Sequence, residues 1–477
     1  MTDPRAGRGR QRNRSSRSRA GRDSTVDAAR LAAYDVLAAV REQDAYSNLV
    51  LPPMLRGRGI SGRDAAFATE LVSGTLRRRG TYDAVIAANV TRPLDRVDPG
   101  VLDALRLGTH QVLGMRVPAH AAVGTTVDLV RSRVGHRPAG FANAVMRTVA
   151  EHDLAGWVRR VAPDPGADPV GFASVAHSHP RWVVEALAAA LGDEDVEPLL
   201  AADNEPPKVG LVALPGLCTV DELVGAGGVA STQSAFAATL PGGDPGDVPA
   251  VRDGRARVQD EGSQLVATAL TSAPVTGPDR RWLDLCAGPG GKTALLAALA
   301  AQRDARVLAA ERQPHRSALV ARATARVAGT GGLLGIVTAD GTRPMCLDGA
   351  FDRVLVDAPC SGLGALRRRP EARWRRSQDD LEALVPLQTA LLQSALDAVR
   401  PGGVVAYVTC SPVLDETSGV VTAVLDARPD VVLEDANGLF PDVPDLEPER
   451  RVLPGTVQLW PHKHGTDAMF LALLRRT

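Results

Sequence analysis

The sequence predicts three folded parts in one chain: an all-α bundle first, a small mixed α+β module next, and a largely parallel α/β sheet last. Three observations carry this. The chain has 477 residues, well beyond the ~250–300 at which a single hydrophobic core stops growing. Apolar residues recur at helical spacing in the first third. From about residue 251 short apolar runs alternate with helical patterns, the rhythm of a sheet covered on both faces by helices.

Hydrophobic residues make up 44% of the chain and charged ones 23%. That excludes global disorder, because enough apolar surface exists to offset the entropy of folding. No apolar run approaches the ~18 residues needed to span a bilayer, and no apolar stretch follows the basic N-terminus, so a cytoplasmic chain with no membrane partner is expected. Basic and acidic side chains balance at 55 each. A nucleic-acid partner remains open, since the placement of charge decides and not its sum. Cys218, Cys286, Cys346, Cys360 and Cys410 show no C-x-x-C pair and no dense spacing, which disfavours a disulfide framework and a zinc site. Lysine occurs only at Lys208, Lys292 and Lys463, so a lysine inside a motif stands out.

Residues 1–23 carry eight arginines against Asp3 and Asp23 without apolar periodicity, the pattern of a disordered basic arm. Attraction to RNA phosphates by counterion release, or simple solubilisation, would each account for it. Over 24–160 a helical bundle is expected. Ser24 with Asp27 resembles a capping box; Ala29, Ala33, Leu37 and Val40 form one apolar stripe, and Leu102, Leu105, Thr109 and Val112 another. Pro52, Pro53, Pro93, Pro99 and Pro118 mark positions where helices should end. Residues 161–250 read as a linker (Val161–Pro169) and a small mixed module, with a helix over Arg181–Leu191, a strand over Val209–Leu214 and a second Pro/Gly/Asp-rich loop over Pro241–Pro249. Residues 251–477 form the α/β domain, with strands expected at Trp282–Leu285, Val307–Ala310, Leu334–Val337, Arg353–Val356 and Val404–Val408.

Polar motifs follow these strands, at the edge where open α/β sheets bind ligands. The first strand runs into Asp284-Leu285-Cys286-Ala287-Gly288-Pro289-Gly290-Gly291-Lys292-Thr293. Its glycines allow close backbone approach, and the helix that follows presents free N–H groups. A phosphate-binding P-loop would need glycine where Cys286 stands, and the dinucleotide fingerprint fails at Thr293. The second strand ends at Glu311, suited to both ribose hydroxyls of an adenosine-containing ligand. The third ends near Asp340, where an acid could meet the adenine amino group. The fourth ends in Asp357-Ala358-Pro359-Cys360-Ser361-Gly362 and the fifth in Thr409-Cys410-Ser411. Free cysteines are usually small buried hydrophobes. That suits Cys218 and Cys346, but Cys360 and Cys410 both sit in turns at the ligand edge.

Together QDEGSQ (Gln259–Gln264), DLCAGPGGKT, DAPCSG and TCS resemble the RNA cytosine-C5 methyltransferases that use S-adenosylmethionine, whose fold is a Rossmann-like sheet. RDAAFATELVSGTLRRR, LRLGTHQVLGMRVPAHAAV and GFANAVMR resemble the NusB-like RNA-binding domain. The pairing is similar to the bacterial 16S ribosomal RNA methyltransferases of the RsmB/Sun type. The resemblance implies that a cysteine thiolate adds to carbon 6 of cytosine, making carbon 5 nucleophilic enough to accept a methyl group. It implies that Cys410 is that nucleophile, that Cys360 serves product release, and that Asp357 lies at the cytosine ring. Lys292 is expected to contact the base or support a thiolate. The cofactor would be held by Cys286, Ala287, Gly288, Pro289, Gly290, Gly291, Lys292, Glu311, Asp340 and Asp357.

Arg367, Arg368, Arg369, Arg373 and Trp374 follow the Cys360 loop and are expected to clamp phosphates and stack a base. A solvated helix with Trp374 in the core is the plainer alternative. His462 and His464 lack a third ligand, so no metal is expected. Two departures from the family pattern stand out: Glu311 replaces the aspartate frequent in related enzymes, and the turn holding Asp467 is poorer in glycine and aromatics. The expected partner is 16S rRNA or an assembling small subunit, met by a monomer. Transfer RNA as substrate, a catalytically silent RNA-binding protein and a nicotinamide-dependent oxidoreductase are the other readings. The last leaves the paired thiols without a role.

Overall fold

The computed structural model describes residues 26–446 and 452–477; the basic arm and Ser24 lie outside them. The first helix, Ala28–Glu42, starts at Asp27, whose carboxylate accepts the Arg30 N–H at 2.9 Å. Asp27 is thus the cap itself and not the third residue of a box. Seven more helices follow, at Ser47–Gly57, Gly62–Arg77, Arg79–Ala87, Pro99–Leu113, Ala119–Arg133, Ala139–Val149 and Leu154–Val161. The expected stripes meet in one core with Leu71, Ile86 and Met146. Pro99 opens its helix and Pro118 caps another, but Pro52 and Pro53 lie inside the second helix. Neither can donate back to Asn48 or Leu49, and both of those residues are exposed, so water can satisfy the freed carbonyls.

Helices Pro169–His177, Arg181–Leu191 and Asp193–Ala202 come next, followed by a four-stranded sheet of β1 (Val209–Ala213), β2 (Val229–Ala230), β3 (Ala237–Leu240) and β4 (Ala256–Val258) in the order β2-β3-β1-β4. Leu211 of β1 pairs with Val258 of β4. The small module therefore runs past residue 250, and the boundary expected there falls inside it. Pro245–Asp247 and Pro249–Arg252 form short helical turns within the module.

The last part is a sheet of β5 (Arg281–Asp284), β6 (Arg306–Glu311), β7 (Leu333–Thr338), β8 (Phe351–Asp357), β9 (Val399–Thr409), β10 (Val431–Glu434), β11 (Val457–Gln458) and β12 (Phe470–Arg476). Its order is β10-β12-β9-β8-β5-β6-β7, with β11 paired to β12. Strands β5 to β9 run parallel, and β12 lies antiparallel between β9 and β10. Along β9, Val404, Ala406 and Val408 enter one core while Val405 and Tyr407 enter the other, as two-residue alternation requires. The chain steps from β5 outward through β6 and β7 and returns to the other side of β5 at β8, and this reversal of strand order opens a crevice at the carboxyl ends of β5 and β8. Among the described residues no helix is long and apolar enough to cross a membrane.

The arginine segment after the Cys360 loop is where the parts join, and this corrects the expectation of a free RNA clamp. Arg373 is wholly buried and donates to the carbonyls of Ser178 and Asp203 and to Asn204 Oδ1 at 3.0–3.3 Å. The Trp374 ring lies over Gly80, where a Cβ would come within 2.4 Å of it. Arg367 and Arg368 turn inward to Gly465 and to Asp260 and Asp467. Glu371, also buried, accepts the Ser47 N–H and hydroxyl at 2.7 and 3.1 Å, satisfying a free donor at the start of a helix in the bundle. Replacing Arg373 by Ala strands these carbonyls and the buried Asp203. The expected loss is about 3–5 kcal/mol, read in thermal denaturation as an early transition of the helical part; an unshifted single transition would contradict the role.

Candidate active site

The turn after β5 is held from below. Asp284 is buried; one oxygen accepts the Thr293 hydroxyl at 2.6 Å and the other has no partner. Burial, opposed by that hydrogen bond, pushes its carboxyl up to about 7. Gly290 has φ +104°, and a Cβ there would lie 2.6 Å from Ala323 Cβ. Only glycine lets helix Gly291–Ala301 begin so close to helix Pro314–Ala328. Glu311 at the end of β6 accepts the Gly288 N–H at 3.1 Å and the Gln313 N–H at 2.9 Å, while Arg316 donates to the Gly288 carbonyl at 2.6 Å. The residue expected to meet a ribose thus also braces the glycine turn. Beyond β7, Asp340 accepts the Thr342 hydroxyl and N–H, which hold its carboxyl below the usual range.

The other half of the crevice comes from β8 and β9. Their parallel register sets Asp357 beside Val408, so the two cysteine turns leave side by side. Cys360 Sγ and Cys410 Sγ are 3.4 Å apart. The hydrogen bond between them eases Cys410 ionisation, with Lys292 and Arg369 assisting against burial and the Asp357 charge, while the same bond and burial push Cys360 well up. Of the two, Cys410 is the one inclined to ionise, and Cys360 is then its S–H donor. Lys292 Nζ sits 2.8 Å from Asp357 Oδ2. Burial works against its charge, but the Asp357 carboxylate and Cys410 outweigh burial and raise its pKa. Burial and the surrounding acids push the Cys286 thiol far up, so it stays protonated.

Glu416, absent from the expected site, links both cysteine turns. It is fully buried and accepts the Ser361 N–H at 2.7 Å, the Ser361 and Ser411 hydroxyls at 2.5 and 2.6 Å, and the Gln388 amide at 2.9 Å. Its one sequence signal is an acid six residues beyond Cys410, in a turn. Asp260 of the QDEGSQ stretch is a second such residue: it takes Arg368 at 2.6 Å and the Asp467 N–H at 3.1 Å. Asp467 accepts Arg368 at 3.1 Å, and burial beside Asp260 pushes its carboxyl up to about 6. Asp467 thereby fastens the C-terminal hairpin to the site. His464 Nδ1 accepts the Trp460 N–H at 2.7 Å, and among the described residues no group of three or more His, Cys, Asp or Glu is placed to hold a metal.

Comparison with known proteins adds to this geometry. Residues 271–475 match the family described as 16S rRNA methyltransferase RsmB/F, and residues 27–151 match the NusB family. A Mycobacterium tuberculosis protein named as a methyltransferase is 54% identical over 96% of this chain and 99% of its own. Ribosomal RNA small subunit methyltransferase B of Pseudomonas syringae pv. tomato is 33% identical over 83% of this chain and 86% of its own. Among solved structures, PH0851 shares the fold with a TM-score of 0.76 at 23% identity, over 93% of this chain and 98% of that one. NSun6 from Pyrococcus horikoshii with SFG gives 0.54 at 19% identity, over 62% and 98%.

Thiol titration tests the division within the pair. Cys360→Ala removes the donor that favours the Cys410 thiolate, so the pH midpoint for Cys410 alkylation by iodoacetamide should rise. A hydrogen bond to a charged group is worth ~1.5 kcal/mol, which corresponds to roughly one pH unit. A midpoint that stays or falls would reverse the assignment.

Proposed function

Since the chain belongs to the RsmB/F family of 16S rRNA methyltransferases, with a NusB-family domain ahead of the catalytic part, we propose that it methylates carbon 5 of a cytosine in 16S rRNA through a covalent adduct with Cys410. The observation that carries this reading is the thiol pair, 3.4 Å apart at the ends of adjacent strands, with only one member inclined to ionise. A general RNA-binding role would need neither thiol.

In this mechanism the Cys410 thiolate attacks carbon 6 of the cytosine, and electron density moves toward carbon 5 and N3. Asp357, kept in place by Lys292, meets the exocyclic amine edge and accepts its N–H, and the Lys292 ammonium beside it offsets the negative charge that develops in the ring. Cys360 stands beside the new sulfur–carbon bond and assists its release: as the proton on carbon 5 passes to solvent water, the 5,6 double bond re-forms and the bonding pair leaves with Cys410 as its thiolate. S-adenosylmethionine, when bound, supplies the electrophilic methyl group. The residues present fit it: in the turn after β5 Pro289 is exposed and Cys286 and Gly291 are partly so, Asp284 keeps a buried oxygen without a partner, and Lys292, Glu311, Asp340 and Asp357 follow the strand ends. The substrate would be met in the cytoplasm, as naked rRNA or in an assembling small subunit.

Mapping 5-methylcytosine in rRNA from cells with and without the protein tests the assignment: one 16S position should lose its mark. Cys410→Ala should lose methyl transfer by several orders of magnitude. Cys360→Ala should accumulate a protein–RNA adduct that survives a denaturing gel; normal turnover with no adduct would refute the release role.

A further inference from the structure

The loop between the first two helices of the bundle reaches the catalytic part through Tyr46. Two guanidiniums lie over its ring: Arg369 at 5.0 Å from the centroid and Arg375 at 4.8 Å. They differ in every other respect. Arg375 pairs with Asp44 at 3.0 Å and donates to the carbonyls of Val40 and Ala45, so its charge is balanced and it fixes the loop that carries Tyr46. Arg369 is exposed and, among the described residues, has no carboxylate within ion-pair distance and no acceptor for its side-chain N–H groups. Its neighbours in the segment are all occupied: Arg367 and Arg368 with Asp467, Arg373 with buried carbonyls, Arg376 with Asp380.

A guanidinium resting on an aromatic ring uses its flat face for that contact and keeps its N–H edge for a planar or tetrahedral oxyanion. Arg369 thus presents an unbalanced positive charge and a full set of donors, nine residues beyond Cys360 on the same loop. Its charge favours Cys410 ionisation, which places it in electrostatic reach of the thiolate.

We infer that Tyr46 of the helical domain is a positioning residue for Arg369, and that Arg369 so held seats a backbone phosphate of the RNA strand entering beside Cys410. The inference rests on the proposed RNA substrate. It assigns to the bundle a part in presenting the target nucleotide, beyond general affinity for RNA.

The test measures binding of the full-length protein to a short single-stranded RNA containing one cytidine, over a series of salt concentrations. Removing one cation from a phosphate lowers the slope of log K against log salt by about 0.7 on a single strand. Arg369→Gln, a surface change that leaves folding intact, should lower the slope by about that amount and weaken binding several-fold. Tyr46→Leu should do the same, with no further loss in the double variant, whereas Tyr46→Phe keeps the ring and should match the unaltered protein. In turnover, Arg369→Gln should raise KM for RNA more than it lowers kcat. An unchanged slope in Arg369→Gln, or a Tyr46→Phe variant as weak as Tyr46→Leu, overturns the inference. Should Tyr46→Leu not fold, the Arg369→Gln slope and the Tyr46→Phe comparison still decide. Binding is read without methyl transfer, so an inactive protein with the expected slopes would count against the proposed reaction, and an active one with unchanged slopes against the phosphate seat.

Discussion

The carboxylate of Glu416 is the constraint on which the site depends. Parallel pairing of β8 and β9 delivers two turns to the same edge, but pairing ends at the strands, and the reactive sulfurs lie beyond them. A buried carboxylate costs several kcal/mol unless ligated. Glu416 collects donors from both turns, Ser361 on one and Ser411 on the other, with Gln388 joining it to the Pro359 carbonyl. Its own backbone is fixed by the Tyr407 hydroxyl. The charge can stay buried only while both turns stay together, so the requirement of the carboxylate becomes the rigidity of the thiol pair.

That rigidity gives the electrostatics their meaning. Two thiols 3.4 Å apart cannot both ionise cheaply, because like charges at that distance repel strongly. One proton is therefore retained between them. Lys292 lies next to Asp357 and favours charge on Cys410, whereas Glu416 adds to the load against charge on Cys360. The asymmetry begins in the hydrogen bond between the two thiols and is added to by neighbours that follow three separate strands.

How much of this the sequence discloses follows from what each element buries. Strands β5, β6, β8 and β9 are covered on both faces, so they read as plain apolar runs with polar residues at their ends, and the site residues at those ends can be picked out. Strand β4 is three residues long and half exposed, and its partner lies more than forty residues earlier in the chain; no local pattern marks it. Glu416 carries no periodicity either, since its role comes from two turns that meet only after folding. The arginine run misleads for a different reason. Arginine is almost never fully buried, so a cluster of them reads as a surface, yet Arg373 finds enough carbonyls and amides at a junction of three parts to lie wholly inside.

The same junction bears on how the parts work together. From Cys360 the chain passes through Ser361, held by Glu416, then Arg367 and Arg368, held by Asp260 and Asp467, and reaches Glu371 and Arg373, held by the helical bundle. Every charged group on that path except Arg369 is paired inside the protein. A flexible tether would leave the bundle free to move relative to the thiols. Here its second helix begins on the Glu371 carboxylate, so the bundle is held at a set distance from the thiols. Separating the two parts would strand a buried acid and a buried guanidinium within thirteen residues of Cys360. The path that joins the bundle to the thiol turns is therefore also one that the Cys360 loop needs for its own stability.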